Sequence, residues 1–233
     1  MNVGIFGDSY GDDRTGELGH KSWVKLLSEK YNVTNYSYTG SGLFYSYDLF
    51  EKNHHKHEKI IFLVSDPDRI LMPSHTKLDV SSHLTYNQCR VFAEKINKDY
   101  ELVVNYFEQI HNSDFYRTSH KLMVDNIPNI RKDAIVYPCF EFGYLNKFPL
   151  FHVTRFEDNF IGMNPEKRVE LYNKGLRDSR TCHMTEKNNY VVYQMFDSLL
   201  NHKDFELSES ILHKPEHSLE YYYQSKFMDK IRN

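Results

Sequence analysis

The residues best placed to do chemistry lie at the start of the chain, where Val3-Gly4-Ile5-Phe6 runs into Gly7-Asp8-Ser9-Tyr10. A serine just beyond a buried parallel strand sits at the carboxyl edge of a sheet, where open α/β folds keep their sites. Gly7 allows the sharp turn that exposes the Ser9 hydroxyl. A serine is a weak nucleophile at its own pKa, so this pattern asks for a histidine elsewhere. The same tripeptide also suits an ordinary strand-end turn or a helix cap.

Two histidine positions stand out. His54, His55 and His57, followed by Glu58, fall near the end of a helical stretch, and His183 stands in Cys182-His183-Met184-Thr185-Glu186. Neighbouring helical residues diverge by about 100°, so adjacent histidines cannot share one metal. A His54–Glu58 pair could bind zinc weakly, but the cluster reads as a solvated helix end whose cations suit the dipole. No metal and no cofactor are expected.

The elements that must position these residues follow from periodicity. Trp23, Leu26, Leu27 and Tyr31 predict a helix from about His20. Val33 to Tyr38 predicts a strand ending in Thr39-Gly40-Ser41-Gly42, and Leu43 to Lys56 a second helix. Ile60-Ile61-Phe62-Leu63-Val64 is unbroken and apolar, as a central parallel strand buried on both faces should be. It ends in Ser65-Asp66-Pro67-Asp68-Arg69. Met72 to Thr85 reads as a loop or lid, Tyr86 to His111 as a long helix, and Asp114 to Asn126 as another with Asp114 as its cap. Ala134 to Phe140 predicts a strand, Val153 to Phe156 a last edge strand, and Val191 to Leu200 a helix with Thr185 as its N-cap. The tail from Asn201 carries Tyr221-Tyr222-Tyr223.

Composition bounds the class. Of 233 residues, 40% are hydrophobic and 15% aromatic, which supplies a core and excludes a disordered chain. Lys plus Arg is 29 against 32 Asp plus Glu, so no net basic field draws the chain to nucleic acid. No run approaches the ~20 apolar residues of a membrane span, and no signal peptide is evident. Cys89, Cys139 and Cys182 are too scattered for a disulfide framework or zinc knuckle. A soluble protein of a reducing cytoplasm is expected.

Strand–helix alternation implies a parallel sheet between helices. Combined with Gly7-Asp8-Ser9, glycines after the second strand and His183 before the last long helix, the chain resembles the SGNH (GDSL-type) hydrolase superfamily over residues 1–202. The resemblance implies a three-layer α/β/α sandwich with a mostly parallel, five-stranded, flavodoxin-like sheet. Residues 203–233 then form an extension that packs on the domain or makes an oligomer contact. It implies Ser9 as nucleophile, with its own N–H as one oxyanion donor, Gly42 or Gly40 as a second donor, and His183 as general base. Asp8, Asp66 and Arg69 complete the candidate oxyanion and substrate-binding residues.

Two positions depart from the family pattern. Asparagine is missing after the central strand, and Asp66 is a poor oxyanion donor because a carboxylate repels an oxyanion. That leaves Arg69 or Ser65. Arg180 replaces the aspartate expected three residues before His183, so Asp178 reaches the ring only through an unusual bend. A Ser-His dyad remains viable but slower.

Two functions follow. One is a serine esterase acting on a small acyl ester or an acetylated carbohydrate. The other is a catalytically degenerate, virion-associated module for binding or structure, since the His183 and Ser65–Arg69 stretches resemble divergent bacteriophage members. A nucleotide-binding flavodoxin-like protein ranks last, because no phosphate-binding glycine pattern is present.

Overall fold

The computed structural model describes residues 1–11, 13, 21–38, 41–67, 69, 100–150, 153, 184 and 186–212. The elements run β1 (Asn2–Phe6), α1 (Trp23–Lys30), β2 (Asn32–Asn35), α2 (Leu43–Asn53) and β3 (Lys59–Val64). They continue as α3 (Tyr100–Gln109), α4 (Ser113–Ile130), β4 (Ile135–Pro138) and α5 (Glu186–Leu200), with short 3-10 turns at His54–Lys56 and Glu209–Ile211. The strands form a parallel sheet of order β2-β1-β3-β4, so this is an α/β sandwich.

Ile60 to Val64 are wholly buried, as their unbroken apolar run predicts for an interior strand. β2 is half-exposed, as befits an edge. It is shorter than Val33–Tyr38 suggests, yet the Tyr36 and Tyr38 N–H groups still donate to Ile5 and Gly7 of the β1 segment at 2.8 and 3.1 Å.

Four strands, not five, are found among the described residues. Val153, where a fifth strand was expected to begin, has helical backbone, as does Leu150. Both are buried, and their spacing of three places them on one helical face. The β-branched run suggested a strand, but local context overrode that propensity.

The chain divides into two compact units, Met1–Val3 with Asp12–Thr34 and Tyr137–Asn233, and Gly4–Gly11 with Asn35–Val136. In the first, Ser22 caps α1 by accepting from Lys25 N–H at 3.2 Å. Trp23 stacks on Phe196 of α5 with ring centroids 4.5 Å apart, and its backbone N–H donates to Asn189 Oδ1 at 3.0 Å. Asp197 of α5 then accepts from Lys30 Nζ and from the Tyr31 hydroxyl. Asp197 titrates below the usual carboxylate range, because these bonds outweigh the opposing effect of burial. Thr185, the expected cap of α5, lies outside the described residues.

In the second unit, Phe50 of α2 meets Phe6 of β1 and Phe62 of β3 edge-on, at centroid distances of 5.6 and 5.5 Å. Helix α4 buries His120, Val124 and Ile127, one stripe at helical spacing. Its cap is Asn112, whose Oδ1 accepts from Phe115 N–H at 2.9 Å, and Asp114 falls in the first turn instead. The helix runs through Pro128 to Ile130, past the end the sequence suggested. Of the long helix expected over Tyr86–His111, only Tyr100 onward lies within the described residues, and it is helical to Gln109.

Candidate active site at the carboxyl edge of the sheet

The second unit holds β1 and β3 side by side, and the chain leaves them in opposite directions along the sheet, to β2 and to β4. Such a reversal opens a crevice beyond the strand ends, where ligands of open α/β sheets bind. Both motifs of interest arise there, Gly7-Asp8-Ser9 after β1 and Ser65 to Arg69 after β3.

Gly7 is a glycine for a steric reason. A Cβ there would lie 2.6 Å from Leu63 Cβ of β3. Asp8, fully buried, then organises the turn. Its Oδ1 accepts from Tyr10 N–H and its carbonyl from Gly11 N–H, each at 3.0 Å. Oδ2 meets Arg69 Nη1 at 2.5 Å, and the guanidinium side chain is only 11% exposed. A carboxylate buried like this is tolerable because a cation and backbone donors replace its water.

Arg69 Nη1 also donates to Ser41 O at 3.2 Å, while Ser41 Oγ donates to Gly7 O at 2.9 Å. Three loops, after β1, before α2 and after β3, are thus stitched by one ion pair and one hydroxyl. Ser9, 5% exposed, sits in the first of them, next to Asp8.

Gly42 is the N-cap residue of α2, with no side-chain cap bond. A Cβ there would come 3.1 Å from Arg69 O, so the β3 loop passes close over this helix start. The first N–H groups of a helix carry its positive partial charge, the kind of donor an oxyanion requires. Gly40, the other candidate, lies outside the described residues.

Of the candidates left by the missing asparagine, Arg69 is engaged with Asp8 and Ser41. Ser65 Oγ is buried and has no hydrogen-bond partner among the described residues. Asp66 is half-buried and lines a cavity of about 430 Å³ together with Arg69. His183, Asp178 and Arg180 lie outside the described residues, as do Met72–Thr85 and Tyr221–Tyr223. The structure therefore brings together Ser9, Asp8, Arg69 and Gly42 but leaves the base undescribed.

His120, which the sequence reading passed over, lines the same cavity. It is buried on α4, and its Nε2–H donates to Ser65 O at 2.7 Å. A carbonyl can only accept, so in the neutral ring Nε2 carries the proton and Nδ1 the lone pair. The available signal was a histidine in register with Val124 and Ile127 on an otherwise apolar face.

The other cluster requires a correction. His57 is not on a solvated helix end: it is 8% exposed and lies 3.1 Å from the Tyr36 hydroxyl through Nε2. Burial lowers its pKa, and the charges of Lys56, Arg131 and His55 lower it further. The helix gives way to a 3-10 turn at His54, which redirects the chain so that His57 turns inward.

Among the described residues, no three His, Cys, Asp or Glu side chains gather as a metal site. Among them, too, no helix is long and apolar enough to cross a membrane. No protein-family model matches this chain, and no curated protein matches it.

Proposed function

We propose that this protein is a serine ester hydrolase of SGNH type, working through an acyl-enzyme on a flavodoxin-like sheet. The observation that carries the reading is Ser9 at the point where the strand order reverses, beside a carboxylate neutralised by Arg69. The order β2-β1-β3-β4 supports the finer fold, because it is the first four positions of the flavodoxin-like order.

In this mechanism Ser9 Oγ attacks the ester carbonyl as His183 takes its proton, with Asp178 steering the imidazole. The Ser9 and Gly42 backbone N–H groups hold the tetrahedral oxyanion, where each donor contributes about 3 kcal/mol to catalysis. His183 then protonates the leaving alcohol, and water repeats the sequence to release the acid. The substrate is a small acyl ester, with acetylated carbohydrate as one case. The scattered cysteines support a reducing, cytoplasmic setting. Buried Leu207 and Leu212 support packing of the C-terminal extension on its own chain.

One observation favours a second reading, a degenerate SGNH-like binding or virion module. Asp66 lines the cavity where the family would carry an oxyanion donor, and a carboxylate there opposes the chemistry.

The test is p-nitrophenyl acetate hydrolysis by wild type, Ser9→Ala and His183→Ala, with fluorophosphonate labelling. Loss of labelling in Ser9→Ala, with turnover falling about 10³-fold or more in both variants, is expected. Turnover unchanged in Ser9→Ala removes the nucleophile, and silence in every form leaves the binding module.

A further inference from the structure

The cavity that Asp66 and Arg69 share is walled by aromatic rings, and two of those rings stand at right angles. Phe115 and Tyr116, neighbours in the first turn of α4, meet edge to face with centroids 5.7 Å apart and planes at 89°. Phe44, in the first turn of α2, supplies a third ring. Phe44 and Phe115 are 62% and 64% exposed, so much of each ring is open to an incoming ligand.

The corner is fixed before any ligand arrives. The Tyr116 phenol is bonded to that of Tyr106, and its ring lies 4.5 Å from that of His111. Asn112 holds the helix start, its Oδ1 accepting from Phe115 N–H and its carbonyl from Tyr116 N–H. Those two donors are spent on the cap, so what they would offer an anion is already used. A volume of about 430 Å³ is within the range of a small-molecule site.

Charge points the same way as the rings. Among the described lining residues the permanent cation is Arg69, and its charge is answered by the buried Asp8. Asp66 adds a half-buried carboxylate. Taken together, Asp8, Arg69 and Asp66 leave one negative charge beside the three rings.

The face of an aromatic ring is the negative part of its quadrupole and attracts cations. An anion would meet Asp66 and those faces. A neutral apolar ligand would cover Asp66 and give its charge nothing in return. A metal ion takes several oxygen ligands, and Asp66 is the lone carboxylate among the described lining residues. An alkylated ammonium satisfies every wall: its methyl groups pack on carbon, including Leu43, while its charge faces the rings and the carboxylate.

We propose that this cavity binds an alkylated ammonium group of the choline class, with the cation against Phe115 and Tyr116 and Asp66 as its counter-charge. The site goes beyond the hydrolase reading and does not depend on Ser9.

The test is titration calorimetry at fixed ionic strength with four probes. They are choline, its neutral isostere (the alcohol with carbon in place of nitrogen), N-acetyl-trimethyllysine amide and inorganic phosphate. The proteins are wild type, Ser9→Ala, Phe115→Leu and Asp66→Asn. Phe115 is exposed and Asn keeps the shape of Asp, and circular dichroism shows that each variant folds.

Choline should bind wild type and Ser9→Ala alike, at least about tenfold more tightly than the neutral alcohol, the factor a partly desolvated cation–π contact supplies. Phe115→Leu and Asp66→Asn should each weaken choline about fivefold or more and leave the alcohol unchanged. Tighter binding of the trimethyllysine derivative would support the ammonium class and place it on a side chain. The alcohol binding as well as choline, phosphate binding in its place, or choline binding untouched by both variants would overturn the proposal. Ester turnover by a protein that binds neither ammonium probe would remove this site and leave the hydrolase. Choline binding without any turnover would do the reverse.

Discussion

Strand β1 carries two buried polar arrangements built on opposite electrostatics. Along the strand, Gly4 makes room for the His57 ring, which shares a hydrogen bond with Tyr36 beside Phe6. Beyond the strand end, Asp8 and Arg69 form a buried ion pair. The first site lies among packed rings, with Phe6 stacked on Tyr36 at 4.6 Å, and offers His57 little but one hydroxyl. A neutral imidazole suits it, and burial with nearby cations depresses the His57 pKa accordingly. The second lies among loop backbones whose N–H and C=O groups complete the solvation of both ions. What decides whether charge survives burial is therefore the supply of backbone partners, which a loop has and a regular strand has already used.

Breaking the charged arrangement should cost most. Arg69→Met strands the Asp8 carboxylate, and about 3–5 kcal/mol of stability should be lost. Asp8→Asn in the same chain keeps a side-chain oxygen for Tyr10 N–H while removing the charge, and should recover most of that loss. Urea unfolding of the two singles and the double closes the cycle. A double variant as unstable as the sum of its singles would show that the pair is not what holds these loops.

A smaller effect separates the glycines. Gly7→Ala presses on Leu63 Cβ, which is fixed to the β3 backbone, so about 1–3 kcal/mol of overpacking cost is expected. Gly4→Ala meets His57 Cδ2 at the same 2.6 Å, but that is a ring able to tilt away. The penalty should be smaller, reaching about 1 kcal/mol as the Tyr36 bond weakens. Equal shifts in the urea midpoint would deny this difference between a rigid neighbour and a yielding one.

The sequence made some of this legible and hid the rest for physical reasons. Ile60–Val64 announced an interior strand because burial on both faces demands an unbroken apolar run. That Gly7-Asp8-Ser9 and Ser65 to Arg69 each follow a strand was readable from the apolar runs before them. That Asp8 and Arg69 pair was not, because the partners are 61 residues apart and only the β1–β3 adjacency joins them. His57 was misread because one 3-10 turn reverses which way a side chain faces, and helical periodicity carries no notice of such a turn. His120 was overlooked because a polar residue in an apolar stripe shows its partner, a backbone carbonyl, only in three dimensions.

The gentlest probe is the neutral arrangement itself, through pH. The His57 pKa in the folded protein lies below its ordinary 6.5, so between those values the unfolded chain binds more protons than the folded one. Stability from this group is then complete above about pH 6.5 and falls as acid is added through that interval. Melting temperature should drop between about pH 7.5 and pH 5, and His57→Gln should flatten the profile without abolishing it. A residual slope is expected because His54 is shifted the same way, by burial and by the charges of His55 and Arg131. A profile in His57→Gln identical to wild type would mean that the buried ring keeps its proton on folding, and that the contrast between the two arrangements along β1 is one of geometry and not of charge.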